Sequence, residues 1–144
     1  SEEQKHRAIR EFRMVMPGGS AFVCSSTEAE VIKYAHNASA VLNILLYNIL
    51  KDVSDRSGSD WPTISSALRS DPFLASHYSS PEHKGGRGAG GPCFIKDFEA
   101  FRRVVGAHPS ANWLLEAVLY NNDLLLSSKK DVAIVNAVYP PRKE

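Results

Sequence analysis

Residues 28–55 read EAEVIKYAHNASAVLNILLYNILKDVSD, and no Gly or Pro interrupts the chain from there until Gly58. Val31, Tyr34, Ala35, Ala38, Val41, Leu42, Leu45 and Ile49 recur with a period near 3.6, the spacing that collects apolar side chains on one side of a helix. The preceding Ser26-Thr27-Glu28-Ala29-Glu30 has the pattern of a capping box, with Thr27 as cap and Glu30 at its third position. These features predict one long helix over Glu28–Asp55. At 1.5 Å per residue it would run about 42 Å, more than a domain of this size needs. A second apolar flank, containing Ala40, Ile44 and Tyr47, means that the helix must bury more than one face. Its own domain can cover only part of that surface. A two-fold homodimer built around Glu28–Asp55, with Ile44 on the face shared with the second copy, is therefore expected.

Outward from this helix, Glu2–Met14 has helical spacing and is stopped by Pro17-Gly18-Gly19, whereas Ala21–Ser25 reads as a brief strand. On the other side, Ser59-Asp60-Trp61-Pro62 is a helix-start signal for Thr63–Arg69. Ser, Pro, His and Gly then dominate a loop from Asp71 to Pro92. Two further helices follow, Phe94–Val105 and Ser110–Leu126, the latter amphipathic or fully buried through Trp113, Leu114, Ala117, Val118 and Leu125. Asp131–Tyr139 is β-branched and apolar and reads as a strand. The expected class is mainly α: one long central helix as spine, the Phe94 and Ser110 helices packed on it, and short stray strands near both ends. Neither strand has an obvious partner, so each is expected to pair with the other or with a sheet outside these residues.

Composition narrows the function. Across 144 residues the formal charge is only +1, so no whole-chain field exists to hold nucleic acid. Arg87 among glycines resembles an RGG element, but one arginine supplies too little charge to act alone. The longest apolar run, near Val41–Leu50, is broken by Asn43 and Asn48 and is too short for a membrane span. Ser1–Met14 is charged and is not expected to be a signal peptide. With Cys24 and Cys93 as the only cysteines, a disulfide scaffold is excluded and a reducing, cytoplasmic setting is expected. His6, His36, His77, His83 and His108 show no metal-ligand spacing, and no metal is expected.

Gly86, Gly88 and Gly91 satisfy the G-x-G-x-x-G arithmetic of a dinucleotide loop, yet no strand-like run precedes them. No cofactor site is therefore assigned within these residues, and the chain alone is not expected to bind NAD. Pro92 and Cys93 instead place a thiol where the glycine loop enters the next helix. Backbone N–H groups and Lys96, one turn on, favour a thiolate there. Taken singly, Cys93 could equally be an inert thiol, Lys33 a solvated helix position, Asn37 a helix-face hydrogen-bonder, Tyr78 loop packing and Cys24 a small core residue.

The string Gly88-Ala89-Gly90-Gly91-Pro92-Cys93-Phe94-Ile95-Lys96-Asp97 closely resembles the catalytic segment G-x-G-G-x-C-x-x-K-D of the UDP-glucose/GDP-mannose dehydrogenase family. Ala29-Glu30-Val31-Ile32-Lys33-Tyr34-Ala35-His36-Asn37-Ala38 is similar to the opening of that family's central helix, A-E-x-x-K-x-x-x-N-A. His77-Tyr78 followed by Pro81 resembles its H-Y-x-x-P loop, with a longer stretch here before Cys93, and Asn122-Asp123 a weaker N-D signal. The resemblance covers roughly Phe22 to Asp123. It implies the central dimerisation domain, a helical fold like the C-terminal domain of 6-phosphogluconate dehydrogenase, at residues 26–129. On this reading residues 1–25 are the end of an N-terminal Rossmann domain, and residues 130–144 are the start of a C-terminal nucleotide-binding domain.

The chemistry implied by the resemblance is a double oxidation of a sugar C6 alcohol to a carboxylate, with NAD as oxidant in the full-length enzyme and a UDP- or GDP-sugar bound with the flanking domains. Cys93 would capture the aldehyde as a thiohemiacetal, which becomes a thioester and is hydrolysed. Lys33 and Asn37, four apart, would stabilise oxyanion charge and hold water or sugar hydroxyls. Asp97 matches the general-base or water-orienting carboxylate, and Tyr78, Gly90 and Lys96 match substrate-binding positions, Lys96 also as a structural or thiolate-stabilising group. Phe73 stands where the family carries an arginine directed at the sugar nucleotide, which leaves substrate preference open. The alternative is a non-catalytic dimerisation module or degenerate paralogue in which Cys93 is idle.

Overall fold

The computed structural model describes residues 1–16, 21–106 and 109–127. The chain divides into two units, Ser1–Lys33 and the residues from Tyr34 onward. In the first unit, α1 spans Glu2–Val15. Ser1 caps it, accepting from the Gln4 N–H while the Gln4 side chain accepts from the Ser1 amine. Glu2 and Glu3 in its first turn complement the helix dipole. None of its residues is buried.

The strand expected at Ala21–Ser25 does not form; these residues have no regular structure. A five-residue strand has no ladder to join where no described strand lies beside it. The strand expected at Asp131–Tyr139 lies outside the described residues. Cys24, expected in a core, is exposed beside Phe22, Val31 and Ile32.

The long helix, α2, covers Ser26–Ser57, two residues further at each end than the sequence reading. Its capping box is Ser25 with Glu28, not Thr27 with Glu30: the Glu28 N–H donates to Ser25 Oγ and the Ser25 N–H to Glu28 Oε2. That hydrogen bonding holds the Glu28 carboxyl below its ordinary pKa. Both pairs satisfy the box pattern, and the earlier one adds half a turn of helix. At the far end Gly58, with φ +68°, takes the left-handed conformation that closes the helix. Its N–H reaches Asp55 O, and the Ser59 N–H reaches Ser54 O at 3.0 Å.

In the second unit, α3 (Trp61–Ser70) starts at Asp60, whose carboxylate accepts from the Thr63 N–H at 2.9 Å. After the loop come α4 (Pro92–Val105) and α5 (Pro109–Ser127). The core joins Ala38, Val41, Ile44 and Leu45 of α2 to Ala89 of the loop, Phe94 and Phe98 of α4, and Leu115 and Val118 of α5. Burying one such large side chain contributes about 1.5–3 kcal/mol, so this cluster is what fixes the loop's position.

Which face of α2 turns inward corrects the sequence reading. Ala40, Ile44 and Tyr47 are buried in their own unit, Ile44 to 1% exposure. The residues left open are Leu42, Leu46, Ile49 and Val53, at 43–58%. Both flanks are apolar, and periodicity alone does not tell which one meets the home domain. On α5 the inward positions are Leu115, Val118, Asn122 and Leu126, while Trp113 (74%) and Leu114 are exposed rather than buried. Among the described residues no helix is long and apolar enough to cross a membrane.

Candidate active site

Gly91, at φ +94°, is the cap of α4, and Pro92 follows in the first turn, where a missing N–H costs nothing. Cys93 comes next and is exposed. Four residues on, Asp97 lies on the same side of α4 but inward, at 4% exposure. A carboxylate so placed needs donors. Asn37 of α2 supplies one, its Nδ2 donating to Asp97 Oδ2 at 2.7 Å. Lys96 Nζ stands 3.4 Å from Oδ1, with most of the lysine side chain in solvent.

The glycine loop is held from two helices. Asn122 of α5 pairs with both backbone groups of Ala89: Oδ1 accepts from its N–H at 2.7 Å, and Nδ2 donates to its carbonyl at 3.2 Å. Gly88, at φ +85°, packs so closely that a Cβ would stand 3.0 Å from Leu125 Cβ and 3.2 Å from Asn122 Oδ1. From α2, Asn48 Oδ1 and Asp52 Oδ1 accept from Arg87 at 2.7 and 2.6 Å, and the Asn48 carbonyl accepts at 3.1 Å. Asn48 Nδ2 also donates to Pro81 O. Arg87 is thus a clamp between loop and helix.

A phosphate cradle needs free N–H groups converging on an anion. Here the N–H groups of Gly86, Gly88, Ala89 and Gly90 donate to His83 O, Pro81 O, Asn122 Oδ1 and Gly88 O. The G-x-G-x-x-G loop therefore does not fit a dinucleotide pyrophosphate.

Of the other sequence-derived residues, Tyr78 is half-buried against the core, edge-on to Phe94 at 5.3 Å and flanked by His36, His77 and His83. Gly90 lies half-buried beside Leu126. The second unit thus brings together Asn37, Tyr78, Gly90, Cys93, Lys96 and Asp97. Lys33 is an exposed residue of the first unit, on α2. Phe73 is 92% exposed. Among the described residues no cluster of His, Cys, Asp and Glu could hold a metal ion. Sequence reasoning missed Asn48, for which an asparagine within an apolar helix was the available sign.

Fold and site define a helical segment in which a glycine loop, clamped from two helices, delivers an exposed thiol to a helix start above a buried Asn–Asp pair. Residues 27–123 match the central domain of the UDP-glucose/GDP-mannose dehydrogenase family, and the chain belongs to that family. It is 34% identical over 104 residues to the "Putative UDP-glucose 6-dehydrogenase YtcA" of Bacillus subtilis (strain 168), covering 72% of this chain and 23% of that protein. It is 30% identical over 95 residues to the UDP-glucose 6-dehydrogenase YwqF of the same strain, 66% of this chain and 21% of that one. Against the UDP-glucose 6-dehydrogenase of Rickettsia conorii it is 25% identical over 122 residues, 85% and 27%. The chain spans about a quarter of the length of these relatives. No solved structure matches it significantly.

Proposed function

We propose that this segment carries the thiol half of the active site of an NAD-dependent nucleotide-sugar 6-dehydrogenase, which oxidises UDP-glucose or a related UDP- or GDP-sugar to the uronic acid. The observation that carries the reading is the placement of exposed Cys93 in the first turn of α4, one turn from a buried Asp97 held by Asn37. Relatives named as UDP-glucose 6-dehydrogenases support it.

In this mechanism the Cys93 sulfur adds to the C6 aldehyde, forming the S–C bond of a thiohemiacetal. NAD, when bound in the whole protein, would supply the hydride acceptor for both oxidations; no residue described here is assigned to hold it. The Asn37 amide stabilises the developing oxyanion, and Asp97, which accepts a hydrogen bond from Asn37, orients the water that cleaves the thioester. The carboxylate leaves and the thiol is restored. Tyr78, Gly90 and Lys96 line the sugar. The free cysteines suit a reducing, cytoplasmic setting, in which the thiol survives.

The exposed stripe on α2 supports a homodimer as the working state. Ala35, Ser39, Leu42, Leu46, Ile49 and Val53 are all exposed and follow a four-three alternation, the spacing of a two-helix seam.

The test is the whole protein with Cys93→Ser, assayed for acid formation from UDP-glucose and NAD. A fall in kcat of at least about a hundredfold with unchanged circular dichroism is expected, the size typical of losing a nucleophile. Full activity in the variant would instead favour the non-catalytic module.

A further inference from the structure

The extra residues between Tyr78 and Cys93 form a small hairpin. The His83 N–H donates to Gly86 O at 2.7 Å, the Gly86 N–H to His83 O at 3.3 Å, and the Gly88 N–H to Pro81 O, with Glu82 bridged to Arg87. Its two-residue turn is Lys84-Gly85, both at positive φ, +49° and +82°, as a primed hairpin turn requires. Gly or Asn takes that conformation most easily, and a lysine there is held against the usual steric preference. The turn folds the lysine side chain back across the glycine loop. Its Cδ and Nζ come within 2.9 Å of the point where a Cβ on Gly91 would stand. Gly91 can yield that space because it has no side chain, and Cys93 is two residues further on. Among the described residues the Lys84 ammonium has neither an ion-pair nor a hydrogen-bond partner.

We propose that Lys84 is a specificity-determining residue of the Cys93 site, its ammonium pairing with a carboxylate borne next to the cysteine sulfur. This rests on the reading of Cys93 as the nucleophile. The alcohol substrate of that reaction is uncharged at the reacting carbon, whereas the product is an anion there. The ammonium of exposed Lys84, lying over Gly91 two residues before Cys93, separates the two by charge and holds the acid more tightly than the alcohol. The hairpin, which the family motif does not call for, is what brings the charge to the site.

The probe is a pair of alkylating reagents that differ in one charge. Iodoacetate leaves a carboxylate one carbon from sulfur, and iodoacetamide leaves a neutral amide there. Rates at Cys93 are followed on this chain by peptide mass spectrometry, with exposed Cys24 as internal reference. The iodoacetate-to-iodoacetamide ratio at Cys93, relative to Cys24, is expected to fall roughly fivefold in Lys84→Met, as loss of one nearby partly solvated charge predicts. Lys84→Arg should keep it, and added salt should erode the wild-type preference. Methionine makes the same demand on the turn as lysine, so the hairpin is retained. An unchanged ratio at a reactive Cys93 would overturn the role of Lys84 alone. A Cys93 inert to both reagents would remove the nucleophile, and this proposal with it.

Discussion

Asn37 and Asp97 meet across a 2.7 Å hydrogen bond although sixty residues separate them. The contact ties α2 to the first turns of α4, and the Asn37 amide is one of the donors that serve a carboxylate held inside the protein. Asn37→Leu should therefore destabilise the chain by about 1–3 kcal/mol, the cost of taking one donor from a buried carboxylate. Asn37→Asp should cost more at neutral pH, because it sets two carboxylates against each other, and the difference between the variants should narrow in acid as the pair takes up a proton. Urea titrations at two pH values measure both. Equal stability of the Leu variant and wild type would show that the pair carries no weight in the fold.

Arg87 joins the loop to α2 through Asn48 and Asp52. Its side chain is about a third exposed, so solvent screens part of the charge and the low end of the usual range applies. Arg87→Met is expected to cost about 1–2 kcal/mol. Hydrogen exchange should locate the loss: the Gly88 and Ala89 amides should exchange faster, while those in the middle of α5 should hardly change. Uniform acceleration everywhere would mean that Arg87 supports the whole unit and not the loop.

The motif around Cys93 was legible through its resemblance to a family segment, because that segment is contiguous: glycines, a cysteine in a first helical turn, and a carboxylate one turn on. The long helix was legible because its periodic pattern is contiguous too. What the sequence left undecided depends on partners distant along the chain. Two capping boxes overlap at Ser25-x-x-Glu28 and Thr27-x-x-Glu30, and only the fold selects the first. Arg87 resembled a solvent-directed RGG arginine because Asn48 and Asp52, its acceptors, stand 39 and 35 residues earlier. Ile44 and Leu46 are equally apolar in a list, and tertiary packing alone puts one inside and the other outside. Lys84 carried no turn signal of its own, since lysine seldom occupies a left-handed position.

Tyr47 is almost wholly buried and sits edge-on to Trp61, with its hydroxyl unpaired among the described residues. Burying a hydroxyl without a partner costs free energy, whereas the ring's packing is favourable. Tyr47→Phe should keep the ring and remove the orphaned group. A Tm equal to or above wild type is the expected result, with a gain of up to about 1 kcal/mol. A clear loss of stability would mean that the hydroxyl has a partner in solution.

Glu99 of α4 receives hydrogen bonds from Arg102 and Arg103. The Arg102 bond, ahead of the opposing effect of burial and the added pull of Arg103, holds its carboxyl below the ordinary value of 4.5. A carboxylate with a lowered folded pKa contributes stability that is complete above its unfolded pKa and disappears as the pH falls through the folded one. Wild type should therefore be more stable than Glu99→Gln at about pH 6, with the gap closing below about pH 4. Thermal melts of both proteins across that range test the sign. A gap that widens in acid would contradict it.

The open stripe on α2 gives the last prediction. Leu46 stands in the middle of the exposed Ala35, Ser39, Leu42, Leu46, Ile49 and Val53 row, whereas Ile44 is sealed in its own core. The same substitution at the two positions should have different consequences. Ile44→Asp would bury an unpaired carboxylate and should cost about 3–5 kcal/mol, seen as a collapse of the unfolding midpoint. Leu46→Asp places its charge in solvent in the monomer and inside the seam in the dimer, so the fold should survive and association should weaken by at least about tenfold. Sedimentation at tens of micromolar distinguishes these outcomes. If the wild-type chain is monomeric there, the stripe is not a self-association surface at that concentration; if Leu46→Asp stays dimeric, the second copy sits on another face, with the exposed side of α5 around Trp113 and Tyr120 the next to substitute.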